Sequence, residues 1–184
     1  MNDGPWRHPE PIRSGLRLEM VPEGVLHAFA AEDAASLPAR FASPYLMGAK
    51  CLPIWRVRSA QIRTNPSDAP WVTRFIMMPG AEAPVGMAGF HGPPDHTGMV
   101  EVGYQIDPEQ RRRGYAGRSL EILLAVAGQH PDVRVVRATI SPANSASSAL
   151  IRRYGFVETG EQWDEEDGLE IIYERDAPRD LERG

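Results

Sequence analysis

The stretch MVEVGYQIDPEQRRRGYAGR, residues 99–118, passes from alternating apolar and polar residues through a proline-containing turn into a segment rich in arginine and glycine. Apolar or aromatic side chains occupy every second position from Val100 to Ile106, which predicts a strand with two different faces. From Gly114 to Gln129, apolar residues recur at helical spacing. The stretch therefore predicts a strand, a tight turn and a helix in succession.

The turn before this helix has the features of a phosphate-binding site. Small residues at Gly114, Ala116 and Gly117 leave room for a ligand close to the backbone. A helix N-terminus presents unpaired N–H groups and a partial positive charge, and both favour phosphate. The three arginines at 111–113 add positive charge next to it. The same residues also fit a solvated arginine run before an ordinary helix, with Gly114 as a turn residue.

Two commoner phosphate-binding motifs are excluded. A P-loop requires a glycine five residues before its Gly-Lys-Ser/Thr triplet. Aligning that triplet with residues 117–119 puts Arg112 at the glycine and Arg118 at the lysine. The Gly-x-Gly-x-x-Gly pattern of dinucleotide-binding proteins is absent as well.

The remaining chain alternates between strand and helix patterns. Residues 25–62 indicate a mostly helical region, interrupted at Pro38, Pro44 and Pro53. Residues 145–153 indicate a second helix after the phosphate turn. Further strands are expected at 15–20, 71–78, 85–91, 133–140, 156–163 and 169–174. This order predicts a mixed sheet with helices packed against it.

Two blocks of residues resemble the GNAT superfamily of N-acetyltransferases, and in particular the branch that includes ribosomal-protein N-terminal acetyltransferases. The acetyl-CoA motif of that superfamily, Gln/Arg-x-x-Gly-x-Gly/Ala, is matched by Arg111, Gly114 and Ala116. Its following block, a helix that opens with asparagine and ends in Gly-Phe, is matched at Asn144, Ser147, Leu150, Gly155 and Phe156. The resemblance implies an α/β (α+β) fold, with a mixed, mostly antiparallel central sheet flanked by helices on both faces.

The expected domain organisation is one acyltransferase domain over residues 15–176. Residues 1–14 are expected to form a flexible lead-in, and residues 177–184 a polar tail. The chain of 184 residues is long enough to bury a core without disulfides or metals, and it has a single cysteine, Cys51. With no apolar stretch of membrane-spanning length, the protein is expected to be cytoplasmic and not bound to membranes.

The resemblance also implies how acetyl-CoA is bound as a co-substrate, with no metal. The pyrophosphate would lie on the backbone of residues 111–117, that is Arg111, Arg112, Arg113, Gly114, Tyr115, Ala116 and Gly117. The strand before them would diverge from its neighbour and bind the pantetheine arm through Gln105, Ile106 and Asp107. Asn144 would contribute from the second block, or would act only as a helix N-cap. The amine would then attack the thioester directly, without an acyl-enzyme.

Direct transfer requires a base, because amines are mostly protonated at neutral pH. Glu101 is the first candidate, since it lies on the strand before the phosphate turn, on the face opposite Val100 and Val102. The alternative role for Glu101 is a structural, salt-bridged carboxylate. His91 is the second candidate, because imidazole exchanges protons near neutral pH.

The leaving thiolate requires a donor, and here the sequence departs from a common pattern of the superfamily. Many members have a tyrosine seven residues after the motif asparagine, whereas this chain has Ile151. Ser147 resembles the serine used in the ribosomal-protein branch and is the preferred donor. Tyr154 is the alternative, although its position usually packs beside the Gly-Phe pair.

Three classes of function remain in competition at this stage. The first is an N-acetyltransferase that transfers the acetyl group of acetyl-CoA to a primary amine of a small molecule or a peptide N-terminus. The second is a non-catalytic acyl-CoA-binding or sensing module, which Ile151 keeps open. Nucleic-acid binding through residues 111–113 is disfavoured by the net charge of −5 and the lack of a spread basic surface. The identity of the acceptor amine cannot be read from the sequence.

Overall fold

Eight strands and four α-helices make up the computed structural model within residues 4–10, 15–165 and 168–178, which are the residues that it describes. The strands are β1 (Trp6–Arg7), β2 (Arg17–Met20), β3 (Arg74–Met77), β4 (Gly86–Phe90), β5 (Met99–Ile106), β6 (Val135–Ile140), β7 (Val157–Asp164) and β8 (Gly168–Asp176). The helices are α1 (Glu23–Ala30), α2 (Leu52–Thr64), α3 (Tyr115–Gln129) and α4 (Ser145–Arg153). None of these helices is both long and apolar enough to cross a membrane.

The strands form one sheet in the order β1-β2-β3-β4-β5-β6-β8-β7. All neighbouring pairs are antiparallel except β5 and β6, which are parallel. A parallel pair needs a crossover connection, and α3 provides it. The mixed, mostly antiparallel sheet predicted from the sequence is confirmed.

The parallel pair is joined only at one end. β5 and β6 are in register from Met99–Val135 to Glu101–Arg137, and the ladder stops there. Over its remaining length, β5 stays paired with β4 up to Ile106. One edge of β5 is therefore left open in the middle of the sheet.

Alternating side chains on the strands build a hydrophobic core on each face of the sheet. On β3, Phe75 and Met77 join the core that contains α1 and α2. Ile76, between them, joins the core that contains α3 and α4. Successive residues of a strand point to opposite faces, so one strand of apolar residues serves both cores. This confirms that helices cover both faces.

The region of residues 25–62 differs from its prediction. It contains two separate helices, α1 and α2, with turns and a short 3₁₀ segment between them. Pro53 does not interrupt a helix but lies in the first turn of α2, where proline is tolerated because the N–H that it lacks has no partner in the helix.

The N-terminal segment also differs from the expected flexible lead-in. Trp6 pairs with Leu18, so that β1 becomes the edge strand of the sheet. The Trp6 side chain is buried against Phe90, with ring centroids 5.6 Å apart, and the Arg74 guanidinium lies 3.7 Å from the centre of its ring. At the other end, Ala177 is buried and donates its N–H to the Arg134 carbonyl. The rest of the expected tail, residues 179–184, lies outside the described residues.

We expect Trp6→Ala to lower the free energy of unfolding by about 3 kcal/mol, because the change removes a buried aromatic side chain and leaves a cavity. Chemical denaturation followed by circular dichroism measures this change. Arg7→Ala, at an exposed position of the same strand, is the control and should have little effect. An unchanged denaturation midpoint for Trp6→Ala would restore the prediction of a flexible lead-in.

Candidate active site

The divergence of β5 from β6 opens a cleft of about 1260 Å³. Its walls are β5, the far end of β6, the N-terminal ends of α3 and α4, and the side of α2 that carries Ile54 and Arg58. A cleft of this size can enclose an extended ligand, and it runs beside backbone that has no partner strand.

Alternate residues of β5 bond to β4, and the residues between them direct their backbone groups to the other side, toward this cleft. The ladder to β4 uses Glu101, whose carbonyl accepts from His91, and Asp107, whose N–H donates to the Val85 carbonyl. In an antiparallel pair, alternate residues bond to the same neighbour. The intervening residues Tyr104 and Ile106 therefore direct their backbone groups away from β4, toward the cleft. Of the residues predicted here, Gln105 and Ile106 both line the cleft, and Ile106 is the one whose backbone groups are directed toward it.

Asp107 is not brought into the cleft, which corrects its prediction as a ligand-binding residue. Its N–H is used by Val85, and its Oδ1 accepts from Glu109 N at 3.0 Å. The carboxylate thus caps the short 3₁₀ turn at 108–110, as aspartate commonly does at such positions.

The predicted phosphate turn has an unusual backbone. Arg112 and Gly114 have φ values of 61° and 77°, both in the left-handed region. Left-handed residues within a turn direct successive N–H groups into a concave anion-binding nest. The first hydrogen bond of α3 runs from Arg118 N to the Gly114 carbonyl, so the N–H groups of residues 115–117 have no partner within the helix. The non-glycine Arg112 in this conformation is a local strain typical of binding sites.

The arginines of the turn take different positions. Arg111 and Arg112 line the cleft, and Arg111 Nε donates to the Ile106 carbonyl at 3.3 Å. The Arg113 carbonyl accepts from Arg118, and the backbone contact of Arg113 with the pyrophosphate stays a prediction. Arg118, which the sequence did not single out, donates from its guanidinium to the carbonyls of Arg113 and Gly114 and so holds the turn in place.

The other predicted residues of the helix start, Tyr115, Ala116 and Gly117, all line the cleft. Gly117 has a second role, because a Cβ there would lie 3.0 Å from the Tyr154 hydroxyl. Its small size is thus required for the contact between α3 and α4 as well.

Tyr154, the alternative donor predicted for the leaving thiolate, is not among the residues that line the cleft. Its hydroxyl donates to Glu121 Oε1 at 2.8 Å, and the other carboxylate oxygen of Glu121 lies 2.9 Å from His8 Nε2. Burial, together with the neighbouring Glu121, raises the pKa of Tyr154 to about 12. The geometry assigns Tyr154 to the packing of α3, α4 and the N-terminal segment.

The start of α4 brings Asn144 and Ser147 to the cleft. Asn144 Oδ1 accepts from Ser147 N at 3.2 Å, so the N-cap role is observed. Ile151, at the position where many relatives carry tyrosine, is fully buried in the core and offers nothing to the cleft.

On the opposite face of β5, the half-buried Glu101 forms a network with the more exposed His91. Glu101 Oε1 accepts from Thr139 Oγ1 at 2.6 Å and lies 3.3 Å from His91 Nδ1. Burial raises the pKa of Glu101, but the hydrogen bond and charge of His91, the Thr139 hydroxyl and the charge of Arg137 outweigh burial and hold the pKa below its usual value. Glu101 is therefore ionised at neutral pH. It lies behind His91 and Thr139, and these two line the cleft.

Two residues of α2, which the sequence gave no reason to select, fix the position of His91. The His91 carbonyl accepts from Arg58 Nη1 at 2.8 Å and from Gln61 Nε2 at 2.9 Å. The imidazole lies against Gly103, where a Cβ would be 2.8 Å from Nε2. His91 is thus held between α2 and β5, with Nδ1 toward Glu101.

We expect Gly114→Val to abolish acetyl-CoA binding in a folded protein, because a β-branched residue disfavours the left-handed φ on which the nest depends. The matched control is Gly80→Val, since Gly80 has a φ of 74° and open space at its Cβ, in the turn between β3 and β4. Both variants should lose similar stability in thermal melts, whereas isothermal calorimetry should show lost affinity only for Gly114→Val. Equal acetyl-CoA affinities in the two variants would contradict the nest.

Solved structures with this fold include acetyltransferases with coenzyme A bound. The ribosomal L7/L12 alpha-N-protein acetyltransferase RimL in complex with coenzyme A superposes with a TM-score of 0.63 at 18% identity, over 90% of this chain and 96% of that chain. RimJ from Mycobacterium smegmatis, in complex with CoA-disulfide, has a TM-score of 0.63 at 17% identity, over 95% of this chain and 86% of that chain. At these identities the likeness is one of fold.

A curated relative is similar over part of the sequence. The "uncharacterized N-acetyltransferase YjdG" of Bacillus subtilis (strain 168) is 32% identical over 73 residues, which are 40% of this chain and 44% of that protein. The match thus spans less than half of either chain. The family model described as acetyltransferase (GNAT) domain matches residues 25–157, which include β3–β6 and all the residues that line the cleft except Glu170. The chain therefore belongs to the GNAT family of acetyltransferases.

Proposed function

We propose that this protein transfers the acetyl group of acetyl-CoA to a primary amine. The observation that carries the proposal is the open edge of β5, with an anion nest at its C-terminal end and, on its opposite face, an ionised Glu101 beside His91. Phosphate, thioester and amine need three different environments, and this strand connects all three.

The nest and the open strand fit acetyl-CoA. The backbone of Arg112–Gly117 and the guanidinium groups of Arg111 and Arg112 are suited to the pyrophosphate. The outward-facing backbone groups of Tyr104 and Ile106 are suited to the amides of the pantetheine arm. A backbone N–H at the same edge would polarise the thioester carbonyl, as in an oxyanion hole.

On the acceptor side, we assign the proton of the amine to His91, with Glu101 as its positioning partner. His91 lines the cleft, and Glu101 does not. An ionised carboxylate at Nδ1 fixes the imidazole tautomer and stabilises the imidazolium that forms when Nε2 accepts a proton. This revises the sequence-based proposal, in which Glu101 itself was the base.

The second candidate function, a non-catalytic acyl-CoA-binding or sensing module, is supported by the burial of Ile151 at the usual tyrosine position. Such a module has no use for a base held on the face opposite the thioester. The Glu101–His91 pair therefore favours the enzyme.

The central test is binding and turnover with purified protein. Acetyl-CoA at about 100 times its Kd should stabilise the folded state by roughly 2.7 kcal/mol, because it binds only that state. Differential scanning calorimetry measures this stabilisation, and thiol release across a panel of peptide N-termini, amino acids, polyamines and aminoglycosides measures transfer. No melting shift at millimolar acetyl-CoA contradicts the proposal, and a shift with no thiol release for any amine supports the binding module.

The roles of His91 and Glu101 are separable by kinetics. His91→Ala should lower kcat/KM by about 10² to 10⁴-fold, the usual contribution of a general base, with little change in acetyl-CoA affinity. Glu101→Gln should cause a smaller loss, and both losses should become smaller at high pH, where the amine is already deprotonated without a base. Glu23→Gln, an exposed carboxylate on α1, is the control. If Glu101→Gln reduces turnover more than His91→Ala does, the base is Glu101.

A further inference from the structure

The hydroxyl of Tyr104 is the buried polar group in the cleft for which the mechanism above gives no role. The Tyr104 ring packs against the core on the α3–α4 face, while the residue lines the cleft. Among the residues that the structure describes, its hydroxyl is buried and has no hydrogen-bond partner of normal geometry. A buried hydroxyl without a partner is costly, by about 1–3 kcal/mol, so its retention needs a reason.

Ser147 is a polar group close to the Tyr104 hydroxyl. The two hydroxyl groups are close enough for Ser147 to lower the pKa of Tyr104, although the larger effect of burial leaves that pKa raised. Ser147 also lines the cleft, and its backbone is fixed by the Asn144 cap. The adjacent Ser148 is different, because its hydroxyl donates to the Asn144 carbonyl at 3.3 Å, within its own helix.

We propose that Tyr104 is a positioning residue for the leaving group, donating its hydroxyl hydrogen to Ser147 Oγ so that Ser147 directs its own hydrogen at the sulfur of coenzyme A. The proposal rests on the proposed function, since it assigns a second pair of residues to the same reaction. With this role, Tyr104 on β5 supplies the phenol hydroxyl that many members of the superfamily place at the position of Ile151.

The reaction then balances across the two faces of β5. The amine nitrogen forms a bond to the acetyl carbon, and its proton passes to His91. The carbon–sulfur bond breaks, and sulfur leaves with the electron pair as a thiolate. Ser147 donates a hydrogen bond to that thiolate, and Tyr104 donates one to Ser147 Oγ. Neither hydroxyl group loses its proton, which fits a phenol whose ionisation burial opposes.

The test measures the thiolate directly, separately from turnover. Calorimetry measures the affinity of the wild-type protein for free CoA and for desulfo-CoA, which lacks the thiol. The ratio of the two affinities should increase as the pH rises past the pKa of a free thiol, about 8.5. Tyr104→Phe and Ser147→Ala should each reduce this increase by about tenfold while binding desulfo-CoA normally. The double variant should lose no more than either single variant, since the two hydroxyls act as one unit.

The kinetic counterpart is a loss of about tenfold in kcat for Tyr104→Phe, with acetyl-CoA affinity unchanged, because the interaction strengthens only as charge develops on sulfur. Ser148→Ala is the matched control and should keep wild-type values, because the Ser148 hydroxyl bonds within its own helix. Ser147→Thr, which retains a hydroxyl, should restore most of the pH-dependent affinity.

The outcomes separate this proposal from the proposed function. If neither the wild-type protein nor any of the variants binds CoA, the proposed function itself fails. If CoA binds and acetyl is transferred, but Tyr104→Phe keeps the full pH-dependent affinity, the role of Tyr104 is overturned. If Tyr104→Phe does not fold, Ser147→Ala provides the test. A pH-dependent CoA affinity like that of the wild type in Ser147→Ala would overturn the role of Tyr104, because Tyr104 is proposed to act through Ser147.

Discussion

The interruption of one strand pairing is the constraint on which the rest of this structure depends. β5 and β6 share hydrogen bonds only from Met99 to Glu101, and the unpaired length of β5 borders the cleft. Unpaired backbone in the middle of a sheet is unfavourable unless a ligand or water completes it. The cleft therefore presents directed donors and acceptors without requiring side chains to supply them, and the parallel pairing at its closed end keeps the two strands from separating further.

The same strand also separates the two halves of the chemistry. Glu101 is on the α2 face with His91 and Thr139, and Tyr104 is on the α4 face with Ser147. Successive strand residues point to opposite faces, so an odd separation of three residues sends the two side chains to opposite sides. In the proposed mechanism, proton acceptance from the amine thus lies on one face of the strand and stabilisation of the leaving thiolate on the other.

Rigid anchoring accompanies both halves of the site. On one side, α2 holds His91 by two hydrogen bonds to its carbonyl, from Arg58 and Gln61. On the other, Arg118 binds the carbonyls of the phosphate turn, and the contact of Gly117 with Tyr154 fixes α3 against α4. These contacts lie outside the cleft or at its margin. They fix the positions of the groups that face it, as a supporting shell does in binding sites generally.

The sequence by itself determined the order of the elements, the strand, turn and helix of residues 99–129, and the residues of the phosphate turn, because these depend on local periodicity and on glycine and arginine at fixed spacing. It did not determine that Trp6 completes the sheet edge, that Asp107 caps the turn at 108–110, or that Glu101 lies behind His91. Tyr104 is the clearest case, since alternation indicated only that it shares a strand face with Val102. That part of the strand face lines a cleft only because β6 diverges from β5. The separation of two strands depends on how the two cores pack, and it leaves no periodic signal in the sequence.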